Sequence, residues 1–338
     1  MLRLFGLLLT VLGAIAVAVI SWPQFFRLER DLPIAQLVSF RALIAVGFAA
    51  LFVLALFLAV VRPIRALALS LAFVFLAGAG VNGAILASRG LGSQTLPEQT
   101  ETSVRVMTWN TAGVATSADT IAQTAVAMDA DIVTLPETTI ETGTAVAVSM
   151  GELGHPMWAH HTQSGEWDSE STTILISPDL GDYSVIESSA DGTSNTSTLP
   201  SAVAMPNSGD GPIVVAAHAV APREDYMPQW RGDLQWLADQ CAGDANVIMA
   251  GDFNATVDHM SGLGVDGGDL GQCTDTAAAT GNGAIGTWST ALPALAGAPI
   301  DHVMVSAHWT ATGSVVLQSL DDAGSDHRPL VVQLEPYE

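Results

Sequence analysis

Three long apolar runs fill most of the first 90 residues, and no other feature restricts the fold of this chain as strongly. Leu4–Ile20 has 17 residues without a charge, Ala42–Val61 has 20, and Ala66–Leu86 has 21 with one polar interruption, Asn82. A helix rises about 1.5 Å per residue, so about 20 apolar residues cross the hydrocarbon core of a bilayer. The sequence therefore predicts about three transmembrane helices, at about 4–20, 42–61 and 66–86, within a membrane anchor of residues 1–89.

The first run is near the lower limit for a span, and a cleaved signal peptide is the alternative. No small-residue cleavage site follows this run. The next residues include Trp22, Phe25 and Phe26, which are aromatic side chains of the kind found at membrane interfaces. These features favour three spans.

The charges of the connecting loops bear on the orientation of this anchor. The loop between the second and third runs is RPIR, residues 62–65, and two arginines in so short a loop indicate the cytoplasmic side. The first loop contains three further arginines, partly offset by Glu29 and Asp31. We therefore predict a multi-pass protein of the cell membrane in which residues 87–338 lie on the extracytoplasmic side.

A sharp change in charge follows the apolar runs. From Glu98 onward the chain holds 32 of its 34 acidic residues and four of its 11 arginines, a formal charge of −28, and it contains no lysine. The break predicts a linker at 90–102 and a soluble domain at 103–338. Such a domain lacks the basic patches that bind nucleic acid by counterion release. A metal-dependent nuclease stays open, because bound cations invert the local field.

Within the soluble domain, short apolar runs alternate with helical patterns, which predicts a layered α/β or α+β domain. Polar side chains recur at the ends of these runs: Asn110, Glu137, His218, Asp252 with Asn254, Asp301 with His302, and Asp326 with His327. One such residue is usually a turn former, but six such places indicate a site. Carboxylate and amide oxygens suit a hard cation. Combined with imidazoles, they have the chemistry that phosphate-ester hydrolysis needs.

The order and wording of these motifs resemble the endonuclease/exonuclease/phosphatase superfamily, which has the deoxyribonuclease I-like fold. The matching segments are VRVMTWNTAG (104–113), DIVTLPET (131–138), AAHAVAP (216–222), MAGDFNAT (249–256), PIDHVMVS (299–306) and SDHRPLVV (325–332). The resemblance implies a four-layer αββα sandwich of two mixed β-sheets. It departs from the usual pattern at Pro136, where the family has Gln, and at Ala217, where it has Thr.

The resemblance also implies roles for individual side chains. Asn110 and Glu137 would bind a metal, with Asp326 as a further ligand. Asp252 would position or deprotonate the attacking water, and Asn254 and His218 would contact the phosphate. Asp301 would orient His327, which acts at the phosphate as an acid/base or as a stabiliser of the transition state. The expected ion is Mg²⁺, with Mn²⁺ or Ca²⁺ as alternatives. Because lysine is absent, other positive contacts must come from Arg223, Arg231 or Arg328.

The sequence leaves two interpretations open for several residues. Cys241 and Cys273 form either a disulfide or two free thiols. His302 is structural or catalytic, and Trp288 stacks on substrate or fills the core. Asn195 begins a sequence that matches a glycosylation sequon. His155, His160 and His161 are read as loop histidines.

The leading interpretation is a membrane-anchored, metal-dependent phosphoesterase that acts on a small or lipid-linked ester. Its partners are then the lipid bilayer and a phosphate-ester substrate. The first alternative is a surface-tethered nuclease, with nucleic acid as substrate only, and the second is a non-catalytic binding protein on the same fold. The sequence leaves the oligomeric state open.

Overall fold

The computed structural model describes residues 2–93, 95–186 and 195–337. Gln94, which belongs to the predicted linker, lies outside the described residues. The chain divides into two compact units, residues 1–88 and residues 89–338.

The first unit is helical. Its helices are α1 (Leu2–Ser21), α2 (Pro23–Phe26), α3 (Ile34–Val38), α4 (Arg41–Leu58) and α5 (Arg65–Arg89). Three segments are long and apolar enough to cross a membrane, namely Leu4–Ser21, Arg41–Leu58 and Arg62–Arg89. The prediction of three apolar N-terminal helices is therefore confirmed.

One polar network lies inside this apolar unit. Arg41 Nη1 donates to Asn82 Oδ1 at 2.8 Å and to the Ser21 carbonyl at 3.1 Å. Asn82 Nδ2 donates to Ser21 Oγ at 2.9 Å. All three residues are buried, so the network joins α1, α4 and α5 through groups that hydrocarbon cannot solvate. Arg41 is thus a packed residue of the helical unit, whereas the sequence analysis counted it as a loop charge.

The second unit contains two six-stranded sheets. Its strands are β1 (Val104–Thr108), β2 (Ile132–Pro136), β3 (Trp158–Gln163), β4 (Ser171–Ile176), β5 (Tyr183–Val185), β6 (Ala202–Pro206), β7 (Ile213–His218), β8 (Val247–Asp252), β9 (Thr274–Asp275), β10 (Asp301–Val305), β11 (Trp309–Val316) and β12 (Leu330–Pro336). The first sheet has the order β11-β12-β1-β2-β4-β3, and the second has the order β5-β6-β7-β8-β10-β9. Both mix parallel and antiparallel pairs.

Alternation along the strands builds the layers. Val106 and Ile132 join a buried cluster that also contains Val214, Ile248 and Val303 of the second sheet, so this cluster lies between the sheets. The neighbouring residues on β1 and β2 belong to a second cluster, on the other face of the first sheet. This is the period-2 pattern of strands that are buried on both faces.

Helices cover the outer faces. They are α6 (Ala118–Ala127), α7 (Ile140–Glu152), α8 (Met227–Gln240), α9 (Val257–Met260) and α10 (Thr276–Ala279). Ser117 Oγ accepts from the Thr120 amide and caps α6, which satisfies one of the free N–H groups at its start. The apolar stripe of α8, formed by Trp230, Leu234 and Leu237, is fully buried. The four-layer sandwich implied by the resemblance is confirmed.

The topology gathers several chain segments at one end of the sandwich. Strands β1 and β2 run parallel, as do β7 and β8, so each pair ends at the same edge. Strands β10 and β12 run antiparallel to β8 and β1, so they begin where those strands end. This end receives every chain segment that carries a predicted site residue.

The residues of the predicted linker lie along this second unit. Ser93 N donates to Asn282 Oδ1 at 2.9 Å, and Gln333 Nε2 donates to the Glu98 carbonyl at 3.1 Å. The described part of 90–102 contains no helix or strand, so hydrogen bonds to the sandwich fix its path.

Candidate active site

All eight predicted site residues form one connected network at this end of the sandwich. Each has a side-chain atom within 4.0 Å of another member. The members are Asn110, Glu137, His218, Asp252, Asn254, Asp301, Asp326 and His327. The structure thus brings the predicted residues together, and their chemical roles remain predictions.

The closest charged pair in the network joins the two sheets. His327 precedes β12, Asp301 begins β10, and His327 Nδ1 lies 2.8 Å from Asp301 Oδ2. Burial disfavours the imidazolium, but the carboxylates of Asp301 and Asp252 outweigh it and raise the pKa of His327 to about 10. His327 Nε2 lies 3.8 Å from Asp252 Oδ2. His327 is therefore a cation whose second nitrogen faces the centre of the network.

Asp252 ends β8 at the centre of the network. Its Oδ1 accepts from the Asn254 amide at 2.8 Å, and its Oδ2 accepts from Asn110 Nδ2 at 3.1 Å. Burial and the nearby carboxylate of Asp301 raise the pKa of Asp252 to about 7, although the His327 cation opposes the shift. A carboxylate whose pKa lies near neutrality is suited to accept a proton.

The glycine before Asp252 permits the close approach of β7 and β8. Gly251 has a φ of +154°, and a Cβ added there would collide with the backbone of Ala217. Any side chain at this position would push β7, and therefore His218, away from Asp252. This contact explains why the motif needs glycine, which the sequence pattern alone could not.

The Glu137 side of the network is more open. Asn110 Nδ2 bridges Glu137 Oε1, at 3.0 Å, and Asp252. The Glu137 side chain is 28% exposed, and its Oε2 has no hydrogen-bond partner among the described residues. Glu137 has a φ of +58°, in the left-handed region that non-glycine residues seldom adopt. Such backbone persists where its surroundings hold it, often at functional sites.

His218 is the least satisfied side chain of the network. It ends β7, is fully buried, and neither ring nitrogen has a hydrogen-bond partner among the described residues. Its Nε2 lies 3.9 Å from Glu137 Oε1. Burial and the His327 cation lower the pKa of His218 to about 3. A neutral buried imidazole without partners is rare, because an unpaired buried polar group is destabilising.

Asn254 is committed to local contacts. Its Nδ2 donates to the Ala219 carbonyl at 2.9 Å and to Asp252 Oδ2 at 3.2 Å, and its φ is +46°. Both amide hydrogens are therefore used, so the phosphate contact predicted for Asn254 requires it to release one of them. In this structure it holds the carboxylate of Asp252.

Asp326 lies at the solvent-exposed side of the network. Its side chain is 57% exposed, and its Oδ1 lies 4.0 Å from His327 Nε2. Its Oδ2 accepts from Trp288 Nε1 at 2.8 Å. Trp288 is half-buried, so it neither fills the core nor stands free, and this partnership was not predicted.

Two of the three predicted metal ligands, Glu137 and Asp326, present open carboxylates of the kind that bind a divalent cation. Water can reach these carboxylate oxygens, and hard oxygen donors of this kind are what Mg²⁺ prefers. Asn110 is buried, and its Oδ1 accepts from the Ala112 amide at 3.0 Å. Among the described residues, one group of acidic and histidine side chains is close enough to share an ion, and it consists of Asp252, Asp301 and His327. It contains none of the predicted ligands.

Two residues that the sequence analysis missed support the network. Ser325 Oγ donates to the Asn110 carbonyl at 2.6 Å and accepts from the His327 amide at 3.0 Å. Ser201 Oγ accepts from the His218 amide at 2.9 Å. Ser325 opens the SDH motif, so the motif contained a signal for it, whereas Ser201 had none.

The arginines divide into committed and free groups. Arg328 is fully buried and forms two 2.7 Å contacts with Asp321 as well as bonds to backbone carbonyls, so it cannot contact substrate as the sequence had allowed. Arg223 follows His218 on an exposed loop. Arg231 is also exposed and has contacts within the chain. Arg223 therefore remains as an exposed cation five residues after His218 in the chain.

The structure also resolves the residues that had two readings. His302 is buried between Asp275 and the Ala255 carbonyl, which is a structural environment. Cys241 and Cys273 form a disulfide. The Asn195 side chain bonds to the backbone of Ser201, so glycosylation there would break an internal contact.

The three histidines that were interpreted as loop residues are divided between a loop and a strand. His155 lies outside the strands and faces Asp129 at 3.5 Å. His160 and His161 belong to β3, so their reading as loop residues was wrong. Their flanking Ser, Gly and Gln residues suggested a loop, but pairing with β4 fixes them in a strand.

Two mixed sheets packed face to face, with acidic and histidine side chains at one end, define the deoxyribonuclease I-like class of folds. The chain belongs to the endonuclease/exonuclease/phosphatase family, whose sequence profile matches residues 107–327.

Several solved structures share this fold. An endonuclease/exonuclease/phosphatase from Beutenbergia cavernae DSM 12333 is 18% identical, with a TM-score of 0.54 over 70% of this chain and 72% of that one. A humanized TDP2 from D. rerio is 15% identical, with a TM-score of 0.52 over 69% of this chain and 99% of that one. At these identities the likeness shows the fold alone. A comparison with curated proteins gave no match.

Proposed function

We propose that this chain is a membrane-anchored, divalent-metal-dependent phosphoesterase that hydrolyses phosphodiester bonds on the extracytoplasmic side. In this proposal residues 1–89 form the membrane anchor, residues 90–102 form the linker, and residues 103–338 form the catalytic domain. The observation that carries it is the Asp301–His327 pair facing Asp252, with His327 Nε2 and Asp252 Oδ2 3.8 Å apart. A cation and a proton acceptor at this spacing can act on a phosphate and on its attacking water.

The residues divide the chemistry among them. Asn110, Glu137 and Asp326 would hold Mg²⁺, or Mn²⁺ or Ca²⁺, which supplies a Lewis acid to offset the phosphate charge. Asp252 takes the proton of the attacking water, for which its raised pKa of about 7 is suitable. His327, fixed by Asp301, stabilises the charge that develops on phosphate oxygens. His218 offers a neutral N–H to one of those oxygens, which would satisfy its unpaired ring.

The charge of the soluble domain favours a small or lipid-linked diester over a polynucleotide. Its four arginines face 32 acidic residues, and Arg328 among them is buried in internal contacts. A polyanion is repelled by such a surface unless a basic groove accompanies the site. The alternative is a surface-tethered nuclease, which the exposed Arg223 supports.

The Cys241–Cys273 disulfide supports the extracytoplasmic location. It joins the end of α8 to the segment before β9, and such bonds persist mainly in oxidising compartments. The paired arginines of the loop at 62–65 favour the same orientation. Alkaline phosphatase fused after Leu334 should then be active. An inactive fusion, together with an active cytoplasmic reporter at the same position, would reverse the orientation.

The metal requirement is tested at Glu137. We expect Glu137→Gln to abolish Mg²⁺-dependent hydrolysis of bis-p-nitrophenyl phosphate, because the amide keeps the volume and removes a charged ligand. The matched control is Glu141→Gln, an exposed glutamate in the first turn of α7, which should keep the wild-type rate. Wild-type rate and Mg²⁺ dependence in Glu137→Gln would show that the assignment is wrong.

A further inference from the structure

The most exposed apolar side chains of the second unit lie beside the site. Among the described residues of 89–338, Val114 is 77% exposed and Trp167 is 74% exposed, the two highest values for large apolar side chains. Single exposed apolar residues are ordinary. Two of them on adjoining loops at the edge of a polar site need an explanation.

The strand register places the Trp167 loop at the site. Pro136, the last residue of β2, pairs with Thr172 of β4, and Glu137 follows directly. The β3–β4 connection, residues 164–170, therefore extends beyond the strand ends on the side that carries Glu137. It is an ordered loop, because the Trp167 amide donates to Glu170 Oε2 at 3.0 Å.

The Val114 loop meets the Trp167 loop at the same edge. Asn110 and Val114 lie on the segment that follows β1, and a Cβ on Gly113 would collide with the side chain of Asp168. The segment is fixed to the site because the Thr111 amide donates to the Pro136 carbonyl at 3.2 Å. Val114 and Trp167 are thus on neighbouring loops. Val114 lies four residues after Asn110, and Trp167 lies five residues before Thr172, the strand partner of Pro136.

We propose that Val114 and Trp167 form the binding surface for the alkyl chain of an amphiphilic phosphodiester substrate. This Val114/Trp167 rim rests on the proposed function, since it places the apolar part of the substrate next to the phosphate that the site hydrolyses. Exposed tryptophan beside aliphatic side chains is typical of surfaces that meet lipid. The same chain has three helices able to cross a membrane, which would keep the site where such esters accumulate.

The charges around Trp167 argue against a nucleobase as the occupant. Aromatic platforms for single-stranded nucleic acid are combined with a positively charged groove. Here Glu166, Asp168 and Glu170 surround Trp167, and the loop contains no arginine or lysine. An alkyl chain is indifferent to these carboxylates, whereas a polynucleotide backbone is repelled.

A chain-length series tests the rim. The full-length protein in a non-ionic detergent is given methyl, butyl and hexyl p-nitrophenyl phosphate with Mg²⁺. Water adds to phosphorus, the P–O bond to p-nitrophenolate breaks, and an alkyl phosphate remains. We expect wild-type kcat/KM to rise about twofold per methylene, below the roughly fourfold of complete burial. Trp167→Ala and Val114→Ala should flatten this slope.

The matched control is Trp158→Ala. Trp158 is also exposed, at 56%, and lies at the opposite end of β3 from the loop. It should keep the wild-type slope, and so should Val148→Ala on the surface of α7.

The outcomes separate the rim from the reaction. If the methyl ester is hydrolysed but kcat/KM does not rise with chain length, the proposed Val114/Trp167 rim is wrong and the proposed phosphoesterase activity is unaffected. A slope that survives in both rim variants, or falls equally in Trp158→Ala, also overturns the rim. A preference for thymidine p-nitrophenyl phosphate over the hexyl ester, lost in Trp167→Ala, would make Trp167 a base-stacking residue instead. No hydrolysis of any ester would overturn both proposals.

Discussion

Two adjacent residues of β10, Asp301 and His302, each belong to a histidine–aspartate pair. The two pairs differ in what the second ring nitrogen of the histidine faces. Asp301 and His302 point to opposite faces of the strand. Asp301 pairs with His327 at 2.8 Å, and His302 pairs with Asp275 at 2.5 Å. The second nitrogen of His302 is used by the Ala255 carbonyl at 2.8 Å. The second nitrogen of His327 has no such partner and faces Asp252.

The comparison shows that an Asp-His dipeptide does not by itself identify a catalytic pair. The sequence contains this dipeptide twice, at 301–302 and at 326–327. In neither does the aspartate form its close pair with the histidine beside it. Asp301 reaches across to His327, and His302 turns to Asp275. A histidine acts on a substrate only if one ring nitrogen stays available, which the contacts decide and the spacing does not.

The largest effect is expected from breaking the Asp301–His327 pair. Asp301→Ala and His327→Ala should each lower kcat/KM for bis-p-nitrophenyl phosphate by about 10²–10⁴. The double variant should be little worse than His327→Ala, because residues that serve one function are non-additive. The measurement is kcat/KM with thermal unfolding for all three variants. Additive losses in kcat/KM, or a folded Asp301→Ala enzyme near the wild-type rate, would show that the two residues do not act as a pair.

The pH profile sharpens the same test. The pKa of His327 is raised to about 10, so activity that needs the imidazolium should persist to about pH 10 and fall above it. Asp301→Asn keeps the volume and removes the principal attraction that raises this pKa. Its alkaline limb should therefore move to lower pH, towards the ordinary histidine value of about 6.5. An unmoved limb would mean that Asp301 does not control His327.

The His302–Asp275 pair should affect stability rather than rate. His302→Ala leaves Asp275 buried without its partner, which destabilises a protein by about 3–5 kcal/mol. We expect kcat/KM per folded molecule to stay within about threefold of wild type, since His302 faces no substrate. Denaturant unfolding of the full chain, followed by tryptophan fluorescence, measures the first effect. A rate loss as large as that of His327→Ala would make the two pairs equivalent and break the comparison.

The sign of the pH dependence provides a control. Burial opposes protonation of His302, but Asp275 outweighs it and raises the pKa of His302 above its ordinary value. The contribution of the His302–Asp275 pair to the unfolding free energy is therefore fully present below about pH 6.5, the pKa of histidine in the unfolded chain. It is lost as pH rises through the raised folded pKa. The difference in unfolding free energy between wild type and His302→Gln should narrow as pH increases.

The same contrast explains how far the sequence could lead. The strands that carry the site are short apolar runs ending in a polar residue, so their ends could be read directly. Asp275 lies on a two-residue strand inside a long irregular segment. No periodic pattern marks this segment, so the sequence did not indicate that Asp275 pairs with His302. Arg328 follows His327 in the motif, and nothing in the sequence indicates that Asp321 and several carbonyls bury it. Local pattern predicts elements, and tertiary contacts assign partners.

The smallest effect is expected at Asp326, the carboxylate of the network that accepts a hydrogen bond from Trp288. Trp288 Nε1 donates to Asp326 Oδ2 at 2.8 Å, yet Asp326 is 57% exposed, so water can replace the lost donor. Trp288→Phe should raise the Mg²⁺ concentration for half-maximal rate only about two- to threefold, the size of a modest hydrogen bond. Asp326→Asn should raise it about tenfold or more if Asp326 is a ligand. Equal shifts would mean that Trp288 contributes as much as the carboxylate it holds, while no shift in Asp326→Asn would remove Asp326 from the ligand set and leave Asn110 and Glu137.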